Sequence, residues 1–223
     1  MYLEWASKLP HVVAWRSVVP PGSPPKRILP DGCMDVIWQD GAVFVAGPDT
    51  TAQLPSSPPS AVSRLFALRF AAGTGPAVLG VPADEITDRQ VALDDLLPGA
   101  EVRRLAEAAD PMGALEAFAL RRWHDPDRAM VAVAAGARAG RPVGAIADEC
   151  GLSPRHLHRR CKTAFGYGPK TLARILRLQA AVALARSGRP FADVSVAAGY
   201  ADQAHLSREV RALAGVPLGQ LIT

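Results

Sequence analysis

Residues 143–162 read VGAIADECGLSPRHLHRRCK, and residues 191–211 read FADVSVAAGYADQAHLSREVR. Laid over each other, they are two copies of one plan. At an offset of 48, Val143 meets Phe191, Ile146 meets Val194, Ala147 meets Ser195, Cys150 meets Ala198 and Gly151 meets Gly199. One extra turn residue then moves the offset to 49: Ser153 meets Asp202, His156 His205, Leu157 Leu206, Arg159 Arg208, Cys161 Val210 and Lys162 Arg211. Positions 143, 146, 147 and 150 have the spacing that gives a short helix one apolar or small face. Gly151 can take the left-handed conformation that stops it. Ser153 then serves as an N-cap with Pro154 at the first helical position, and Asp202 caps the matching helix. Two helices joined by so tight a turn form a helix-turn-helix, and the repeat predicts two of them. A single such pattern also suits a plain helical hairpin. Its repetition, with caps and basic positions in register, points to DNA.

On the second helix of the first unit, Leu157, Cys161 and Phe165 are expected in the core. Arg155, Arg159 and Lys162 make a basic stripe at i, i+4 and i+7, bordered by His158. A recognition helix lies in the major groove, where Arg can bond guanine bidentately while other basic groups hold phosphates. The second unit presents Gln203, Ala204, Ser207, Arg208 and Arg211, a set with fewer base-reading side chains and therefore expected to contact mostly phosphate. The surrounding charge agrees. Residues 128–223 hold 14 Lys+Arg against 5 Asp+Glu, whereas residues 1–127 hold 11 against 16. A basic half joined to an acidic half suits a polyanionic partner for one end only.

The 223 residues are enough for two small domains. The first hundred are broken by Pro and Gly, at 20–25 (PPGSPP) and 55–60 (PSSPPS), and hold short β-prone runs: His11–Val19, Met34–Trp38, Val43–Ala46 and Val62–Phe70. These predict a small antiparallel sheet or barrel. A short helix is expected over 75–80, and from about Glu101 the apolar spacing turns helical, through Val102, Leu105 and Ala109 and then Leu115, Phe118 and Ala119. Pro126 between two acids ends that pattern. The expected fold is thus α+β: a β-rich sensor or dimerisation domain, sandwich-like or a small barrel, over 1–100; a helical bridge over 101–127; and an all-α DNA-binding domain over 128–223. Its longest helix is expected over Thr171–Ser187. There Leu172, Ile175, Leu176, Ala180, Val182 and Ala183 should face inward, and Arg174 and Arg177 outward.

GLSPRHLHRRCKTAFGYGPKTLARILRLQAAVAL at 151–184, followed by VSVAAGYADQAHLSREVRALAGVP at 194–217, resembles the DNA-binding domain of AraC-type regulators. The resemblance covers roughly 128–217. It implies that a long central helix holds the two units so that their recognition helices enter successive major grooves on one face of double-stranded DNA. Cys161 and Val210 stand where that family commonly has aromatic residues. RILPDGCMDVIW at 27–38, VFVAGPDT at 43–50 and FALRFAAGTGPAVLGVPADEI at 66–86 are similar to the N-terminal domain of a subset of the same family. Such domains sense a small molecule or mediate self-association, so a small-molecule effector is expected. RNA polymerase is a further candidate partner, and the chain is expected as a monomer or homodimer.

For an effector pocket the candidates are Trp15, Cys33 and Trp38, since such pockets are rich in aromatics. Packing accounts for the tryptophans equally well, and Cys33 reads first as a buried small residue. A thiol-based sensor or repair protein using Cys33 is the rival from another class; a ligand-independent regulator whose N-terminal domain only dimerises is the rival within binding proteins. Asp31 and Asp35 read as a turn cap and a solvated side chain. His156, His158 and His205 lie on two helices and suit DNA-facing or packing roles better than a metal. Three cysteines without a C-x-x-C pair argue against a disulfide framework or structural zinc. No nucleophile elbow, phosphate-binding glycine loop or zinc signature is present, so neither catalysis nor a cofactor is expected. No apolar run approaches the roughly 20 residues of a membrane span. The N-terminus lacks the apolar core of a secretory signal, and Arg, Ala and Gly usage suits a GC-rich bacterium. A cytoplasmic, nucleoid-associated location follows as the expectation.

Overall fold

Short apolar, β-prone runs build most of the first half of the chain. In the computed structural model, which describes residues 1–54 and 59–222, six strands form one antiparallel sheet: β1 (Tyr2–Ala6), β2 (Val12–Val19), β3 (Met34–Gln39), β4 (Ala42–Ala46), β5 (Ser63–Phe70) and β6 (Gln90–Ala92). Their order is β1-β2-β5-β3-β4-β6. Asp40 and Gly41 join β3 to β4 with φ of 48° and 92°, the paired left-handed residues that a two-residue hairpin turn requires. β1 and β6 were not among the expected strands. Of the proline-rich stretch expected as a loop at 55–60, residues 55–58 lie outside the described residues.

The expected short helix is α1 (Pro76–Leu79), and the helical pattern after 100 forms α2 (Gly99–Ala106) and α3 (Pro111–Arg122). These last two do not bridge the halves. Val102, Leu105, Leu115, Phe118 and Ala119 share a core with Val36, Val45, Leu68 and Phe70, so they cover one face of the sheet. On the opposite face Trp15, Ile37 and Ala67 pack together, with Phe44 and Leu65 against them. Asp35 is also on that face, and it is not solvated. It is buried, paired through both oxygens with Arg69, its register partner on β5, and it accepts from Trp15 Nε1.

From Arg128 onward every described element is helical: α4 (Arg128–Arg138), α5 (Val143–Glu149), α6 (Pro154–Phe165), α7 (Pro169–Arg186), α8 (Phe191–Ala197), α9 (Gln203–Ala214) and a final 3-10 turn. α7 begins two residues before the expected start because Pro169 is tolerated in a first helical turn. Its first half shares a core with α4–α6 through Leu172, Ile175 and Leu176. Its second half shares another with α8 and α9 through Leu178, Ala181, Val182 and Ala185. Ala183, expected inward, is exposed. One helix of 18 residues, about 27 Å long at 1.5 Å per residue, therefore carries both units.

Candidate nucleic-acid interface

Each unit is a short helix, a turn and a capped helix. Gly151 and Gly199 close α5 and α8 with φ of 62° and 76°. Ser153 then accepts a hydrogen bond from the His156 amide at 3.4 Å, and Asp202 accepts one from the His205 amide at 2.6 Å. These caps satisfy amides that the first helical turn leaves unpaired. At the far ends Gly166 and Gly215, again 49 residues apart, adopt φ of 83° and 73°. The caps thus repeat at both ends of both recognition helices.

Leu157, Cys161 and Phe165 face inward from α6, as do Leu206, Val210 and Leu213 from α9. Arg155, His158, Arg159 and Lys162 are exposed on α6, and Gln203, Ala204, Ser207, Arg208 and Arg211 on α9. Among the described residues, the Arg155, Arg159, Lys162, Arg208 and Arg211 side chains have no hydrogen-bonding or ionic partner. The His158 ring lies over Gly168, where a Cβ would come within 2.7 Å of it. His205 turns inward to accept from the Ala201 amide and stands edge-on to Tyr200. No group of three or more His, Cys, Asp or Glu among the described residues could hold a metal ion.

Three other cations of the region are committed within it. Arg160 pairs with Asp127, the N-cap of α4, and Arg174 of α7 pairs with Glu209 of α9. Arg174 and Arg177, expected to face solvent, turn toward the second unit, with Arg177 5.3 Å above the Tyr200 ring. Hydrogen bonds from their arginines hold Asp127 and Glu209 below the usual carboxylate range. Positions 160 and 209 are equivalents in the repeat, yet they carry opposite charges, each matched by an opposite partner. The sequence signal for these pairs was that mismatch inside an otherwise regular repeat.

The effector candidates do not converge. Trp15 lies on one face of the sheet, while Trp38 lies on the other, donating to the Ala106 carbonyl beneath α2. Cys33 stands at the 31–33 turn, where its amide donates to Asp31. Burial, and then the Asp31 and Asp35 carboxylates, push its thiol well above the ordinary value, which keeps it in the unreactive protonated form.

Asp49, in the loop after β4, has its carboxyl pushed up to about 6 by burial and by Asp88. A carboxyl raised on folding binds more protons in the folded chain, so its contribution to stability falls as pH rises from about 4 to about 6 and stays lowered above that. Asp49→Asn is expected to raise the thermal midpoint at pH 7.5 and to change it little near pH 4. Equal shifts at both would refute this account.

Residues 146–223 match a family model described as a helix-turn-helix domain, and residues 7–92 match one described as a domain of unknown function, DUF6597. Among solved structures, ToxT from Vibrio cholerae is 11% identical, with a TM-score of 0.52, over 93% of this chain and 97% of that one. ToxT bound to (E)-4-(8-methylnaphthalen-1-yl)but-3-enoic acid gives a TM-score of 0.51 at 11% identity, over 93% of this chain and 99% of that one. A probable AraC family transcriptional regulator from Rhodopseudomonas palustris is 22% identical over 43% of this chain and 95% of that one, with a TM-score of 0.38. No curated protein matches. The chain therefore carries a helix-turn-helix domain over 146–223 behind a β-rich region that matches DUF6597 over 7–92, and its fold is similar to that of ToxT.

Proposed function

We propose that this regulator reads a specific duplex site with α6 and α9 in successive major grooves. The observation that carries the reading is the row of unpartnered cations on two helices capped at equivalent positions. Arg155 and Arg159 read bases, with His158 at the edge of the contact and Lys162 on a phosphate. On α9, Gln203, Ala204 and Ser207 lie against the groove, and Arg208 and Arg211 hold backbone. Selection of bound duplexes from a random pool at fixed salt, followed by affinity of the winner against random DNA, tests this. Two enriched blocks about one helical turn apart are expected; no enrichment overturns it. Arg211→Ala is expected to weaken specific and random duplexes alike and to reduce the slope of log affinity against log salt by about 1. A loss confined to the specific duplex would place Arg211 on a base.

We divide the chain at the 123–127 segment, with α2 and α3 in the N-terminal domain, whose role is to bias DNA reading when a small effector binds. The acid bound to ToxT suggests a small organic acid. A cavity of about 370 Å³ between α1, residues 124–127 and α6 has Arg159 in its wall, beside the apolar Pro76, Ala77 and Ala164. A thermal midpoint that tracks the concentration of such an acid supports sensing; a flat response across a library of organic acids favours a dimerising role. We take the chain to be a binding protein without catalysis, working in the cytoplasm; no helix among the described residues is long and apolar enough to cross a membrane.

A further inference from the structure

Both recognition helices end against the N-terminal region. At the Gly166 cap of α6, Thr87 Oγ1 lies 3.2 Å from the Gly166 carbonyl oxygen. The approach is close enough that a Cβ on Gly166 would come within 2.2 Å of that hydroxyl and 2.8 Å of Pro48. One residue earlier, the Phe165 ring packs on Gly73, where a Cβ would come within 2.6 Å of it. At the far end of α9, the Ala52 amide donates to the Leu213 carbonyl at 2.7 Å, and Arg27 Nη1 lies 3.4 Å from where a Cβ on Gly215 would stand. Between the two caps, Gln179 of α7 donates to the Pro30 carbonyl at 2.6 Å. The 27–30 and 48–53 loops are tied together by a pair of backbone hydrogen bonds between Ile28 and Gln53, each 2.9 Å, and the second loop is tied to the Thr87 segment by Thr50, whose amide and hydroxyl donate to Asp88 at 2.6 and 2.7 Å.

From these contacts we propose that the N-terminal region is a brace that sets the distance and angle between the two recognition helices, and that Thr87 and Gln179 are positioning residues for operator spacing. The inference rests on the reading of α6 and α9 as DNA readers. Without the brace their relation depends on α7 alone, a single helix whose ends can bend and whose packing on each unit is separate. With it, the carboxyl ends of both readers and the middle of α7 are held by one connected set of loops. The held ends are those remote from the N-terminal turns that meet base edges, so the brace acts on the readers without touching DNA.

The test uses the full chain and its selected duplex, rebuilt with the spacer between the two blocks shortened or lengthened by one base pair. The unmodified protein is expected to prefer the selected spacer by roughly tenfold, the cost of a poorly placed contact block. Thr87→Val and Gln179→Leu, singly and together, are expected to flatten that preference toward parity while affinity for a duplex carrying one block stays unchanged. Thr87→Ser, which restores the hydroxyl, is expected to keep the preference. An unchanged spacer ratio in the double variant, or equal flattening by Thr87→Ser and Thr87→Val, would overturn the brace. Failure of the unmodified protein to discriminate any duplex would instead remove the DNA-reading proposal beneath it.

Discussion

Phe165→Ala is expected to destabilise the chain by about 3–5 kcal/mol, the range for deleting a fully buried aromatic ring. The ring is 1% exposed, at the last turn of α6, in the core that includes Met130, Leu157, Leu172 and Ile175. It also packs on Gly73 of the N-terminal region, so its loss opens a cavity where the two regions meet. All four tryptophans, Trp5, Trp15, Trp38 and Trp123, precede residue 128, whereas the helices from α4 onward contribute most of the helical signal. Urea unfolding followed by fluorescence and by circular dichroism therefore watches the two regions separately. The curves should coincide in the unmodified protein and part in the variant, with the helical signal lost first. Coincident curves and a loss under about 1 kcal/mol would show that the ring carries neither role.

Arg155→Ala and Arg159→Ala are each expected to cost about 1–3 kcal/mol in affinity for the selected duplex, and to relax the base preference of the block under α6. Neither side chain has a partner to give up within the protein, so truncation should leave the thermal midpoint nearly unchanged. The control lies next to them. Arg160→Ala removes the partner of Asp127 and the tie between α6 and α4, so it should lower stability while base preference survives. Equal losses on specific and random duplexes for Arg155→Ala and Arg159→Ala would assign those residues to phosphate contact instead.

The features that were legible in the sequence are those in which one local rule decides the structure. Ser153, Asp202, Gly151 and Gly199 act within a turn of where they stand, and the repeat showed them twice. β2 and β5 both bury residues on the two faces of the sheet, and were readable as short apolar, β-prone runs bounded by Pro and Gly. β1 was not, since all five of its residues are exposed and an edge strand with no buried side has no pattern to read. The Asp35–Arg69 pair joins residues 34 positions apart that only strand register makes neighbours. Arg174 was placed in solvent because charge alone suggested it; its partner Glu209 sits on another helix. The contacts of Thr87, Ala52 and Pro30 with the C-terminal helices depend on how two regions dock, which no periodicity within either can express.

The opposite charges at positions 160 and 209 have a consequence beyond their two ion pairs. Transplanting the α6 sequence into the place of α9 would set an arginine against Arg174, and the reverse exchange would set a glutamate against Asp127, so the two units cannot be interchanged. A chain with unequal, non-exchangeable readers has a head and a tail. Under the proposed reading of DNA by α6 and α9, the operator is then directional, and inverting that site relative to a promoter turns the whole protein end for end, presenting a different surface to whatever is bound beside it.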